Sequence, residues 1–269
     1  MRQTSSLRHF EPGRLGSRLA QWAASWRRVF VFGALALVMA LSASTWDRAN
    51  RQTIARQIHV TTWQILPWFT LMSALICMVL IRILLVTALS YGLSNFALEM
   101  VVRVLVLEVI PLVAALYVTL RSALAVSPAV AGLHIPRDLG YLGGADTDRI
   151  RDDLVPRVIS YAFSVLTMVV VSGAVALVLS YLGVYGFSRW GLDYFARTVG
   201  QVFDPAITIG FGLKVLFFSL AVAVIPIAAS LDEASDDDDD APQAVQPGTL
   251  RLFLALIVIE GLSLSVRYI

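Results

Sequence analysis

The sequence predicts an all-α polytopic membrane protein: an N-terminal amphipathic helix lying in the interface, followed by about five transmembrane helices. Three observations predict it. Only 15% of the 269 residues are charged, against about a quarter in soluble domains. Hydrophobic residues make up 58% of the chain, and the mean hydropathy is +0.75. Several apolar blocks exceed the ~20 residues that a helix needs to cross a bilayer core.

In residues 11–28, EPGRLGSRLAQWAASWRR, Leu15, Leu19, Trp22 and Trp26 recur at helical spacing, and Arg14, Arg18, Arg27 and Arg28 occupy much of the remaining surface. A basic helix with Leu and Trp on one face lies in the interface rather than crossing it. The run 29–45 is short for a span and reads as a second interfacial or re-entrant piece, with a true span as the alternative. Residues 62–88 form the first clear span, and SYGLSN (90–95) makes a short uncharged turn. The second span covers 96–126, a polar segment follows at 127–157, and the third span covers 158–184. Residues 185–204 hold a short surface helix. The fourth span covers about 205–230, an acidic loop 231–248, and the fifth span 249–268. The chain thus divides into an interfacial N-terminal segment, 1–61, and a transmembrane domain, 62–269.

Orientation follows from the arginines near the span ends. The N-terminal segment has nine, 127–157 has four, and Arg251 adds one; the other side has Arg189, Arg197 and Arg267. Fourteen against three puts the N-terminus, the middle loop and the acidic loop in the cytoplasm. Asp232, Glu233 and Asp236 to Asp240 supply seven of the nineteen acids. They do not disturb the count, because Asp and Glu contribute little to the rule. This tract reads as a solvated cytoplasmic loop; contiguous aspartates lack the spaced geometry of a calcium site.

Several site classes are absent. The single cysteine, Cys77, lies in an apolar block and excludes an intramolecular disulfide. His9, His59 and His134 have no ligand spacing, so no metal site is expected. The only lysine, Lys214, is followed by Val215, so there is no P-loop. There is no H-E-x-x-H, no G-x-S-x-G and no histidine within a span. The chain therefore reads as a non-enzyme without a cofactor of its own, and nothing points to nucleic acid.

Ionisable residues inside the apolar blocks are Arg82, Glu99, Arg103, Glu108, Arg121, Lys214 and Glu260. Each costs at least ~2.5 kcal/mol at mid-bilayer and needs a partner, water or an interface position. Glu99 and Arg103 are four apart on one helix and pair locally. Arg82 and Arg121 approach span ends, where a long side chain reaches the headgroups. Glu260 has no evident place in this reading. Glu108 sits well inside the second span, and Lys214 lies roughly 15 Å into the fourth at helical rise. Opposite charges at similar depth on two spans make either an interhelical pair or a polar spot lining a cavity, and the sequence leaves both open, with snorkelling of Lys214 a third possibility.

The stretch LEVIPLVAALYVTLRSALAV resembles the signature of the MlaE (YrbE) permeases of MCE-type lipid ABC transporters. Glu108, Pro111, Leu112, Val113, Ala115 and Leu116, then Arg121, Ser122 and Ala123, fall on its Glu-x-x-Pro and Arg-x-x-Ser-Ala-like elements. In RDLGYLGGADTDRIRDDLVPRVIS, Leu139, Asp148, Pro156 and Arg157 are similar in spacing to the family's cytoplasmic element. GLKVLFF puts Lys214 on a family position, and Tyr91 falls where relatives have a tyrosine. Departures include Leu107 and Leu120 where the family has Arg and Gly, and Arg137-Asp138 and Asp148-Arg149 in place of Glu-Gln and Asp-Pro. The aspartate tract replaces a Gly- and Tyr-rich stretch.

The resemblance implies a multi-pass permease of the bacterial inner membrane that moves lipid, with phospholipid expected, as a homodimer. It implies a separate P-loop ATPase that binds ATP, and a periplasmic MCE-domain partner. The expected lipid-cavity residues are Glu108, Lys214 and Tyr91. Coupling to the ATPase is expected of Arg137, Asp138, Leu139, Asp148, Arg149 and Arg151 in a helix over 137–153. Structural motif positions are Pro111, Arg121, Ser122, Pro156 and Arg157. The competing reading is a membrane scaffold that uses its acidic loop to bind a partner.

Overall fold

The computed structural model describes residues 12–42, 48–93, 96–130, 153–233 and 247–268, and among them every regular element is helical. Helix α1 (Pro12–Leu41) is followed by α2 (Arg48–Ile58), a wide π-helical turn (His59–Trp63) and α3 (Leu66–Ser90). Then come α4 (Ala97–Val104), a second wide turn (Leu105–Val109) and α5 (Ile110–Val130). Helix α6 (Val155–Tyr185) leads through a short 3-10 turn (Arg189–Gly191) into α7 (Leu192–Val202). Helices α8 (Pro205–Glu233) and α9 (Pro247–Tyr268) complete the bundle. Five stretches are long and apolar enough to cross a membrane: Asn50–Ser90, Ala97–Arg121, Val155–Tyr185, Pro205–Ala229 and Gly248–Val266.

Two features differ from the sequence reading. Helix α1 runs unbroken through 12–41 instead of dividing near residue 28. Gly33 does not interrupt it but brings it close to α8: a Cβ there would stand 3.1 Å from a methyl of Val224. The first long apolar helix also begins well before residue 62, because the polar helix α2 is joined to α3 with only the wide turn between them. Ile54 and Asn50 are the buried positions of α2, which packs on α6. Hydropathy marks where apolar residues start, not where helix starts.

Helices α6 and α8 are the centre of the bundle and pack on each other, with α3, α5 and α2 on α6 and α9, α5 and α1 on α8. The buried face of α6 reads Ser160, Ser164, Met168, Ser172, Ala176 and Ser180, one residue per turn. Small side chains at this spacing let helix backbones approach, which is how apolar helices associate when lipid offers no hydrophobic gain. Gly183 continues the stripe; a Cβ there would meet Ile81 of α3 at 2.8 Å. Ser160 and Ser180 donate to the carbonyls of Pro156 and Ala176 one turn back. Large side chains, among them Leu105, Leu107, Ile110, Met168, Phe218, Ile227, Leu252 and Leu256, fill the spaces between helices.

At one end of the bundle α4 packs against the short helix α7. Phe187, Trp190 and Tyr194 are exposed there, as expected of aromatic side chains at the level of lipid headgroups. The turn after α3, with Gly92 at φ +71°, joins the pair α3–α4. The predicted acidic tract, Asp236 to Asp240, lies outside the described residues.

Candidate functional site

The second wide turn has a cause in the sequence. Proline has no N–H, and its ring crowds the carbonyl one turn back, so it disrupts an α-helix in its interior. Pro111 follows the turn Leu105–Val109 by two residues, and here the ladder widens: the N–H of Ile110 reaches back to Leu105 O. The carbonyl that Pro111 leaves without an α-helical donor is that of Leu107, four residues earlier. Lys214 Nζ donates to Leu107 O across the helix interface at 3.1 Å. A cation from α8 thus takes the place of a backbone N–H missing from α5.

The same ammonium donates to the carboxylate of Glu108 and, at 3.0 Å, to Glu260 Oε1 on α9. The face of the Phe218 ring lies 5.8 Å from Nζ, within range of a cation–π contact. The lysine side chain is 1% exposed, and those of Glu108 and Glu260 are each 18% exposed. Three spans therefore meet at one charged point inside an otherwise apolar bundle. At helical rise the three residues lie about 12–17 Å from the ends of their helices on the same side of the bundle. Of the readings left open for Glu108 and Lys214, the interhelical pair is the one this geometry shows.

Glu260 is the member that sequence reasoning missed. The signal that finds it is depth: it lies eight residues before the end of α9, close to the offsets of Lys214 and Glu108 within their own helices. Matching depths of all lone charges, rather than of the best pair, brings the three together. Glu99 and Arg103 make the expected local ion pair at 2.8 Å, both more than a third exposed.

Tyr91 stands in the turn after α3, 78% exposed, and is not among the partners of Lys214. Pro111 is buried within α5; Arg121 and Ser122 follow on the same helix. Arg121 lines a small cavity with Thr61, Tyr117, Tyr161 and Ser164. Pro156 is buried in the first turn of α6, a position where its missing N–H is no loss. Arg157 pairs with Asp153 at 3.1 Å. Arg137, Asp138, Leu139, Asp148, Arg149 and Arg151 lie outside the described residues. Among the described residues no group of His, Cys, Asp and Glu has the arrangement of a metal site.

A larger cavity of about 490 Å³ opens between α1, α8 and α9, walled by Trp26, Phe30, Phe217, Leu220, Val258 and Ile259 among others, almost all apolar. None of the curated proteins matches the chain. The family model described as Permease MlaE matches residues 54–265, from α2 to near the end of α9.

Proposed function

Because the chain belongs to the MlaE permease family, and so is a transmembrane permease of a lipid transporter, we propose that it moves phospholipid between the inner membrane and a periplasmic MCE-domain partner. ATP hydrolysis takes place on a separate P-loop ATPase, which docks on the segment holding Arg137 to Arg151. Two copies of the chain enclose the lipid path; α9 and α3, the least buried of the five spans, offer surface for such a pairing. The arginine asymmetry puts the N-terminus in the cytoplasm.

The observation that carries this reading is the Lys214–Glu108–Glu260 cluster. Charges at this depth are costly to place and mark transport pathways when they occur. In a permease for amphiphiles, a polar point among greasy walls is what a headgroup needs. Lys214 and the two acids would hold that point open and shaped, while Tyr91 at the bundle end lies along the route.

The test is reconstitution of the chain with the ATPase and the MCE-domain protein in vesicles, following ATP-dependent transfer of a labelled phospholipid. Transfer is expected to require all three proteins. Glu108→Ala and Lys214→Ala should each lower it at least about tenfold, equivalent to ~1.4 kcal/mol. Unchanged transfer in both variants would remove the cluster from the mechanism. Failure of any ATPase to co-purify after gentle extraction would favour the scaffold that binds a partner through Asp236 to Asp240.

A further inference from the structure

One ammonium and two carboxylates meet where α5, α8 and α9 touch. Written as fully ionised, the cluster carries one negative charge more than it can balance. A charge taken out of water without a partner is strongly disfavoured, and a carboxylate in that position takes up a proton instead. No second cation makes up the difference. Helix α9 packs on α8 and α5, and the turn that carries Glu108 also packs on α3, α4 and α6. Lys214 is the only titratable residue of α8 between 205 and 229. Arg82 of α3, Glu99 and Arg103 of α4, Arg121 of α5 and Arg157 of α6 are not among the groups that act on Glu260, which are Lys214 and Glu108.

The hydrogen bonds show the same shortfall independently. An ammonium has three N–H donors, and Lys214 directs them to Leu107 O, Glu108 and Glu260 Oε1. Glu260 Oε2 lies 2.9 Å from the same nitrogen, yet it is shut off from solvent and receives no hydrogen bond. Buried polar atoms nearly always have a hydrogen-bond partner, and the lysine has no fourth donor to give. The other group within reach of Glu260 is the Glu108 carboxylate, which as an ion only accepts. A carboxyl group that keeps its proton becomes a donor. A single proton therefore supplies both the missing donor and the missing charge.

We infer that the cluster is a proton-binding site: Glu108 and Glu260 share one proton, carried on Glu260 Oε2 and donated to a carboxylate oxygen of Glu108. Two carboxylates crowded into one site commonly divide a proton in this way, because like charges so close do not both ionise. With the proton in place and Lys214 seated, the cluster is neutral and every donor and acceptor named here is used. Loss of the proton leaves an unbalanced charge between α5, α8 and α9, so its presence holds the three helices together.

The experiment is infrared spectroscopy of the full chain in a maltoside detergent, which has no carbonyl of its own. At about pH 7, where exposed carboxyls are ionised, the parent is expected to show the C=O stretch of one protonated carboxyl. Glu260→Gln and Glu108→Gln should each abolish the band, because the acid that remains is balanced by Lys214. Glu99→Gln, outside the cluster, should leave it in place. The folded chain would then bind one proton more than the unfolded chain above about pH 4.3, the ordinary value for glutamate. Stability should accordingly fall as pH rises, until the site gives up its proton. In urea unfolding, the unfolding constant of the parent should climb by up to about tenfold more per pH unit than that of Glu260→Gln. A parent spectrum without a protonated carboxyl at about pH 7 overturns the inference, whether or not the variants fold. So does a band that survives both glutamine variants, or stability that varies with pH in parallel in the parent and Glu260→Gln.

Discussion

Two wide helical turns, His59–Trp63 and Leu105–Val109, interrupt long apolar helices in the same manner and are finished differently. Both precede a proline, Pro67 and Pro111, and in both a backbone carbonyl accepts a hydrogen bond from a side chain of another helix. At the first, Ser164 of α6 donates to Thr61 O at 3.3 Å. At the second, Lys214 of α8 donates to Leu107 O. The first contact is neutral, made by a short side chain, and binds two helices. The second brings a full charge that must be balanced, and the balance recruits Glu108 from the turn itself and Glu260 from a third span. One backbone irregularity can thus be plain packing or the seed of a polar site, and the donor it attracts decides which.

Lys214→Ala should have the largest effect. It leaves two carboxylates facing each other with Leu107 O unpaired, and breaking a buried pair costs about 3–5 kcal/mol. Thermal unfolding in detergent should show it; a loss under ~1 kcal/mol would place Lys214 on a par with Ser164 and end the contrast. Replacing all three members at once, with Lys214→Met, Glu108→Gln and Glu260→Gln, should recover most of that stability, since apolar or neutral substitutes often replace a buried ion cluster at little cost. Transport should not return with it. Next in size is Pro111→Ala, which restores an N–H able to compete for Leu107 O. In that background Lys214→Ala should cost about 1 kcal/mol less than in the parent, one hydrogen bond's worth, measured as a double-mutant cycle. Additive effects would mean that the proline and the lysine act independently. Ser164→Ala should cost about 0.5–1.5 kcal/mol and leave transport intact. Smallest of all, Arg103→Ala should change stability by about 0.5 kcal/mol or less, because its pair with Glu99 is local and partly exposed.

The helices were legible in the sequence because bilayer crossing demands length and apolarity, and both are written in composition. The arrangement of α1 and α2 was not. A basic, Trp-bearing segment and a short apolar run look like two pieces when only polarity is weighed, and nothing in 12–41 announces that Gly33 will seat against Val224. The polar composition of Arg48–Ile58 hides a helix that packs into the core through Ile54 and Asn50. The pair Glu108–Lys214 was visible as two charges at one depth. Depth, however, carries no azimuth, so their contact became certain only once α5 and α8 were seen face to face. Glu260 escaped because Lys214 already had an acid at matching depth in Glu108, and depth alone does not say that one ammonium takes two carboxylates.

Pro111 has a mechanical consequence. A helix that lacks one rung of its ladder is easier to bend at that rung than elsewhere, so the second span contains a joint beside Leu107. Lys214 supplies the missing rung from outside the helix. The contact that holds the carboxylates together is therefore also what stiffens the joint. Withdrawing the ammonium, by mutation or by any rearrangement that carries α8 away from α5, would release the charge cluster and unlock the helix in a single event.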